Sequence, residues 1–135
     1  MVTIETHQLV LRDLTHDDFE SMHEVTSNLN VVRYMTWGPN TEDDTRRFLQ
    51  YAIQTQIVKP RSVYQFAITL NWICIGGCDF NINSSEHKEG EIGYLLDEPY
   101  WGKGYATEAA KALIRYGFEA HGMHRIIAKC DARNE

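Results

Sequence analysis

The sequence predicts a mixed α/β domain (α+β, built on one mixed sheet) of 135 residues. Three observations predict it. Short apolar-rich runs, partly alternating, recur at residues 9–14, 63–69 and 73–82, as half-buried strands require. Stretches with a 3.6-residue apolar period stand between and after them, the longest over residues 105–121. Between the strand-like run 91–96 and that helix lies Trp101-Gly102-Lys103-Gly104-Tyr105-Ala106, a glycine-broken turn that feeds straight into a helix start.

Residues 9–14 form the first strand. Thr15, followed by Asp17 and Asp18, reads as a helix start: an oxygen-bearing cap, then acids at the positive end of the macrodipole. Phe19, Met22, His23, Val25 and Thr26 give this helix its stripe, and Asn28-Leu29-Asn30 breaks it. Residues 31–35 suit a short helical turn, and Gly38-Pro39-Asn40 is a loop. Thr41 with Asp44 resembles a capping box in which Asp stands for Glu. The helix it opens runs to about residue 58, with Phe48, Leu49, Ala52 and Ile53 inward, and Pro60 stops it.

Residues 63–69 are a strand, with Val63, Gln65 and Ala67 on one face and Tyr64, Phe66 and Ile68 on the other. Leu70-Asn71-Trp72 turns into the strand 73–82, where Gly76-Gly77 marks a bulge or a close approach. Residues 83–90 are polar and loop-like, and 91–96 are a strand that Asp97-Glu98-Pro99 ends. Asp97 and Glu98 read as solvated loop acids. The helix 105–121 buries Ala106, Ala109, Ala110, Leu113, Ile114 and Phe118, and Gly122 caps it. Residues 125–131 are the last strand. The order β-α-α-β-β-β-α-β puts the middle strands in an antiparallel meander. It makes the two strands around the long helix parallel neighbours.

Thirteen Lys and Arg against nineteen Asp and Glu give a net charge of −6. That argues against a nucleic-acid binder, which needs a basic face, and is weakly compatible with cationic substrates such as amines. No apolar stretch reaches the length of a membrane span, and no basic start precedes an apolar run. With three cysteines, Cys74, Cys78 and Cys130, the expectation is reduced thiols in the cytoplasm. On one regular strand Cys74 and Cys78 face the same side about 13 Å apart, too far to bridge or to share a metal. No metal site is expected. His121 and His124 flank Gly122 at a helix end, the setting of caps and surface residues.

The start of the helix 105–121 leaves about four backbone N–H groups without helical partners, at the positive end of the macrodipole. Phosphate is the usual anion at such a place. The turn lacks the Gly-Lys-Ser/Thr ending of a P-loop, which sets a nucleotidase of that kind aside.

On these residues the chain resembles the GNAT superfamily of acetyl-CoA-dependent N-acetyltransferases. The family's phosphate signature is Gln or Arg, two residues, Gly, one residue, then Gly or Ala. Trp101 to Ala106 fit it, with Trp101 in the first place. Together with Glu91-Ile92-Gly93-Tyr94 before the turn and Tyr34-Met35-Thr36-Trp37-Gly38-Pro39 after the first helix, that replacement resembles one branch. This branch holds the ribosomal-protein N-terminal acetyltransferases of the Rim type.

The resemblance implies a GNAT-like acyl-CoA N-acyltransferase fold, acetyl-CoA as cosubstrate and no metal. It implies direct transfer of acetyl to a primary amine, on a protein N-terminus or a small molecule. The cofactor's pyrophosphate would lie on the backbone amides of Lys103, Gly104, Tyr105, Ala106 and Thr107, with Trp101 and Gly102 also binding the cofactor, and backbone groups of Leu95 and Leu96 would bond its pantetheine. One backbone N–H would stabilise the oxyanion. Glu91 resembles the base glutamate of some family members; by itself it reads equally as a strand glutamate paired with a neighbouring Lys or Arg. Asn134, within Asp131-Ala132-Arg133-Asn134-Glu135, resembles the cofactor-contacting Asn of the family's last shared motif.

The family's last helix and strand hairpin have no counterpart in these residues. The resemblance therefore implies one domain over residues 1–135, incomplete at its C-terminus, whose open sheet edge invites a homodimer. A non-catalytic CoA-binding or protein-interaction module is the other function compatible with this fold.

Overall fold

Among the described residues, six strands lie side by side in sequence order in one mixed sheet. The computed structural model describes residues 1–128; the expectations for Asn134, Cys130 and the last three residues of strand 125–131 fall outside them. The elements are β1 (Thr3–Glu5), β2 (Leu9–Asp13), α1 (Phe19–Ser27), α2 (Leu29–Val32), α3 (Glu42–Thr55), β3 (Val63–Leu70), β4 (Ile73–Ser84), β5 (Glu89–Leu96), α4 (Tyr105–His121) and β6 (Arg125–Ala128). Strands β1 to β5 pair antiparallel, and β6 pairs parallel to β5 after the α4 crossover. The meander and the parallel pair are as the sequence predicts.

Two apolar layers sandwich the sheet. Ala109 and Leu113 of α4 pack on Leu9, Leu11, Phe66, Ile68, Phe80, Ile92 and Leu96. On the other face Met22 of α1 and Leu49 and Ala52 of α3 pack on Leu14 and Ala67, while Val25, Val31 and Val32 cover Leu95. Neighbouring residues Leu95 and Leu96 thus point to opposite layers, as the pleat dictates.

The capping box forms: Asp44 N–H donates to Thr41 Oγ1 at 3.2 Å, and Thr41 N–H to Asp44 Oδ2 at 3.0 Å. The helix stops at Thr55, three residues before the predicted end, and Gln56 turns its amide to the Leu14 carbonyl at 2.8 Å. Strand β1 was not predicted, because three residues are too short to show a period. A buried carboxylate holds it. Asp13 accepts from Val2 N–H at 2.9 Å and from Arg61 Nη2 at 2.7 Å. Strands β4 and β5 also extend into the segment read as loop 83–90, closing a hairpin.

Three expectations about side-chain direction are corrected. A bulge at Ile68/Thr69 inserts an extra residue in β4, so Cys78 faces the α4 layer while Cys74 packs with the α1/α3 layer. They do not share a face. Burial raises the Cys74 thiol to about 11 and pushes Cys78 well up, as suits unreactive thiols. On α4, Ile114 and Phe118 are exposed rather than buried. The inward position near them is Gly117, where a Cβ would lie 2.5 Å from Ile126 Cδ1, so the backbone itself meets β6 there. His121, expected at the surface, stands within 5.2 Å of the Tyr64, Phe80 and Tyr116 rings, centre to centre, and its Nε2 is buried without a partner.

Candidate functional site

The turn before α4 is left-handed twice, at Gly102 (φ +75°) and Gly104 (φ +85°). A Cβ at either would meet nothing within 4 Å. Packing therefore does not require glycine here; the backbone angle does. The helix has no side-chain cap, and its first internal bond is Glu108 N–H to the Gly104 carbonyl at 3.0 Å. The N–H groups of Gly104, Tyr105, Ala106 and Thr107 precede that bond, so none has a partner within the helix.

A carboxylate secures this helix start from behind. Glu108 accepts from Gln8 N–H at 2.7 Å, Gln8 Nε2 at 2.8 Å and the Thr6 hydroxyl. Desolvation pushes the Glu108 carboxyl up, but these hydrogen bonds more than offset it and hold the group below its ordinary range. The turn between β1 and β2 is thereby fastened to α4.

The amides open on a cleft of about 770 Å³. Leu95, Leu96, Trp101, Gly102, Gly104, Tyr105, Ala106 and Thr107, all expected from the sequence, line it; Lys103 is exposed beside it. The opposite wall is Asn30, Val31, Arg33 and Tyr34, from α2 and the residues after it. Tyr94, Glu98 and Tyr100 complete the lining.

The floor is the free side of β5. Among the described residues β6 pairs with β5 only over Glu89 to Ile92. Beyond that, Asp97 N–H donates across to the Ile75 carbonyl at 2.9 Å. Backbone groups alternate sides along a strand, so Leu95 bonds toward β4, while Tyr94 and Leu96 turn theirs to the open side. Leu95 and Leu96 both line the cleft, and the Leu96 carbonyl accepts from Trp101 Nε1 at 2.7 Å.

Asp97 and Glu98 are not solvated loop acids. Asp97 is 5% exposed and caps the turn Glu98–Tyr100, accepting from Glu98 N–H at 3.0 Å. Its charge raises the carboxyl of Glu24. Glu98 accepts from Asn28 Nδ2 at 3.2 Å and Asn30 Nδ2 at 3.3 Å, joining the two walls of the cleft. Glu91 lies elsewhere on β5. Its side chain is on the face away from α4, accepts from Asn83 Nδ2 at 3.2 Å, and does not line the cleft. Four residues of strand, about 13 Å, separate it from Leu95.

Asn30 and Glu98 were missed because only the fold brings residues 28–30 to residue 98. The one sequence signal was the density of aromatics in Tyr94, Tyr100, Trp101 and Tyr105. Among the described residues no group of three or more His, Cys, Asp or Glu is placed to hold a metal, and no helix is long and apolar enough to cross a membrane.

The acetyltransferase (GNAT) domain family matches residues 8–135. The chain is 35% identical over 133 residues to an uncharacterised N-acetyltransferase, YnaD, of Bacillus subtilis strain 168, covering 97% of this chain and 74% of that protein. It is 25% identical to the spermidine N(1)-acetyltransferase of Escherichia coli K12, over 96% of this chain and 67% of that protein. It is 31% identical to the ribosomal-protein-serine acetyltransferase of the same strain, over 70% of this chain and 51% of that protein. A crystal structure of a GNAT-family acetyltransferase from Bacillus anthracis superposes with a TM-score of 0.84 at 35% identity, covering 98% of this chain and 76% of that one.

Proposed function

The chain belongs to the GNAT acetyltransferase family, and as such is an N-acetyltransferase; we propose that it moves acetyl from acetyl-CoA to a primary amine by direct attack. One observation carries the reading: the uncapped start of α4, behind two left-handed glycines, opens on the same cleft as the free side of β5. The first suits a pyrophosphate and the second an amide-bearing arm such as pantetheine. Acetyl-CoA supplies the activated acyl group.

In this reading the amides of residues 103–107 hold the pyrophosphate. The backbone groups of Tyr94 and Leu96 orient the arm, and an N–H on that side stabilises the oxyanion as the amine attacks. Glu91 receives the amine's proton through a relay of waters, since about 13 Å of strand separates it from Leu95 in the cleft. Asn134 stays in the proposal as a cofactor contact on the resemblance alone. The acceptor is a small-molecule amine or a protein N-terminus; the Escherichia coli relatives are named for spermidine and for a ribosomal-protein serine. Pairing of two copies along β6 belongs to the same proposal, and light scattering that finds only monomer at every concentration removes it.

Calorimetry with CoA, followed by acetyl-CoA with an amine panel and thiol detection, tests the reading. Binding with thiol release for at least one amine is expected. Absence of CoA binding overturns the cofactor assignment, and binding with a silent panel returns the chain to the module reading.

A further inference from the structure

The Leu96 carbonyl is the last acceptor on the free side of β5 before the chain turns at Asp97, and it is already engaged. Trp101 Nε1–H donates to it at 2.7 Å. The indole reaches back because the turn Glu98–Tyr100 folds tightly: Asp97 caps it, and Trp101 N–H closes it on the Glu98 carbonyl at 3.1 Å. The side chain lines the cleft and is 43% exposed. A half-exposed indole is only partly held by packing, so a single neutral hydrogen bond does much to fix its place, and such a bond is readily exchanged for another.

An extended arm that enters along β5 presents its amide N–H to the same carbonyl, from the same side of the strand. The oxygen can accept two hydrogen bonds, but both donors reach it from the open side of the strand, so the ring and the arm compete for the same space. We propose that Trp101 is an exchangeable stand-in for the incoming cofactor arm. Its indole N–H keeps the Leu96 carbonyl satisfied in the free protein and gives it up when the arm binds. The ring then moves off the strand edge and stays at the cleft mouth. The device spares the protein an unpaired carbonyl on an open strand edge, where another chain would otherwise pair. It rests on the reading of the cleft as a CoA site.

Two measurements test it. The double variant Trp37→Phe, Trp72→Phe leaves Trp101 as the one tryptophan, since the chain has three. On titration with CoA, its indole N–H resonance and its emission are expected to shift in step with the binding heat. Separately, Trp101→Phe keeps a ring and loses the N–H. It is expected to bind CoA about fivefold more tightly, because no bond need be broken first. A resonance and emission that stay put while heat is released overturn the proposal alone. Weaker CoA binding by Trp101→Phe also overturns it, whatever the indole does. No binding heat in the unaltered protein removes the cofactor reading and this inference together.

Discussion

Gly104 is the residue on which the cleft turns. Its φ of +85° suits glycine and strains any residue with a Cβ. Gly104→Ala is expected to lower stability by about 1 kcal/mol in urea unfolding. It should also weaken CoA binding by more than that loss explains, because the amides of Tyr105 to Thr107 swing with the turn. Equal affinity would detach the turn from the ligand. Glu91 asks for a different test. If it receives the acceptor's proton, Glu91→Gln lowers kcat by about a hundredfold and leaves CoA affinity unchanged. Loss of stability without loss of turnover would leave it as the partner of Asn83.

Among the elements, α4 and β1 depend on carboxylates that act at a distance in sequence. Asp13 is 1% exposed, and the Arg61 side chain that pairs with it is 9% exposed. Asp13→Ala strands that guanidinium and the Val2 amide in the interior, for an expected loss of about 3 kcal/mol, readable by urea denaturation. A loss below 1 kcal/mol would show that water replaces the carboxylate. The cap of α3 is a smaller effect. Thr41→Ala is expected to cost about 1 kcal/mol, with Thr41→Ser recovering most of it. This capping box was legible in advance because its two residues are three apart. The Asp13–Arg61 pair was not, because 48 residues separate its members.

Across the whole molecule, acid should act in two stages. His121 has a folded pKa below its ordinary 6.5, chiefly from desolvation and further from the Arg61 charge. The unfolded chain binds that proton first, so stability is full above about pH 6.5 and falls as pH drops toward the folded value. Asp18 and Glu108 are also lowered, each against the upward pull of desolvation, by hydrogen bonds from Arg12 and from Thr6 and Gln8. Their stabilisation holds above the ordinary carboxylate range and disappears as pH falls through their folded values. Thermal unfolding against pH should therefore show a shallow first limb and a steeper second. His121→Phe, which fits the ring cluster, should remove the first limb alone; an unchanged first limb would assign it to another group.

The sequence alone determined the meander, the parallel pair around α4, the left-handed turn and the helix start behind it. Each depends on neighbours along the chain: alternation, a cap three residues away, glycine at a positive φ. Tertiary structure alone decided what faces that turn. It brought Asn28 and Asn30 to Glu98, turned Leu96 rather than Leu95 to the open side of β5, and left Glu91 outside the cleft. Those outcomes depend on strand register and on the bulge in β4, where one residue more or less exchanges every face. The local pattern therefore encodes a helix start that suits an anion, while register decides which backbone and side-chain groups face it across the cleft.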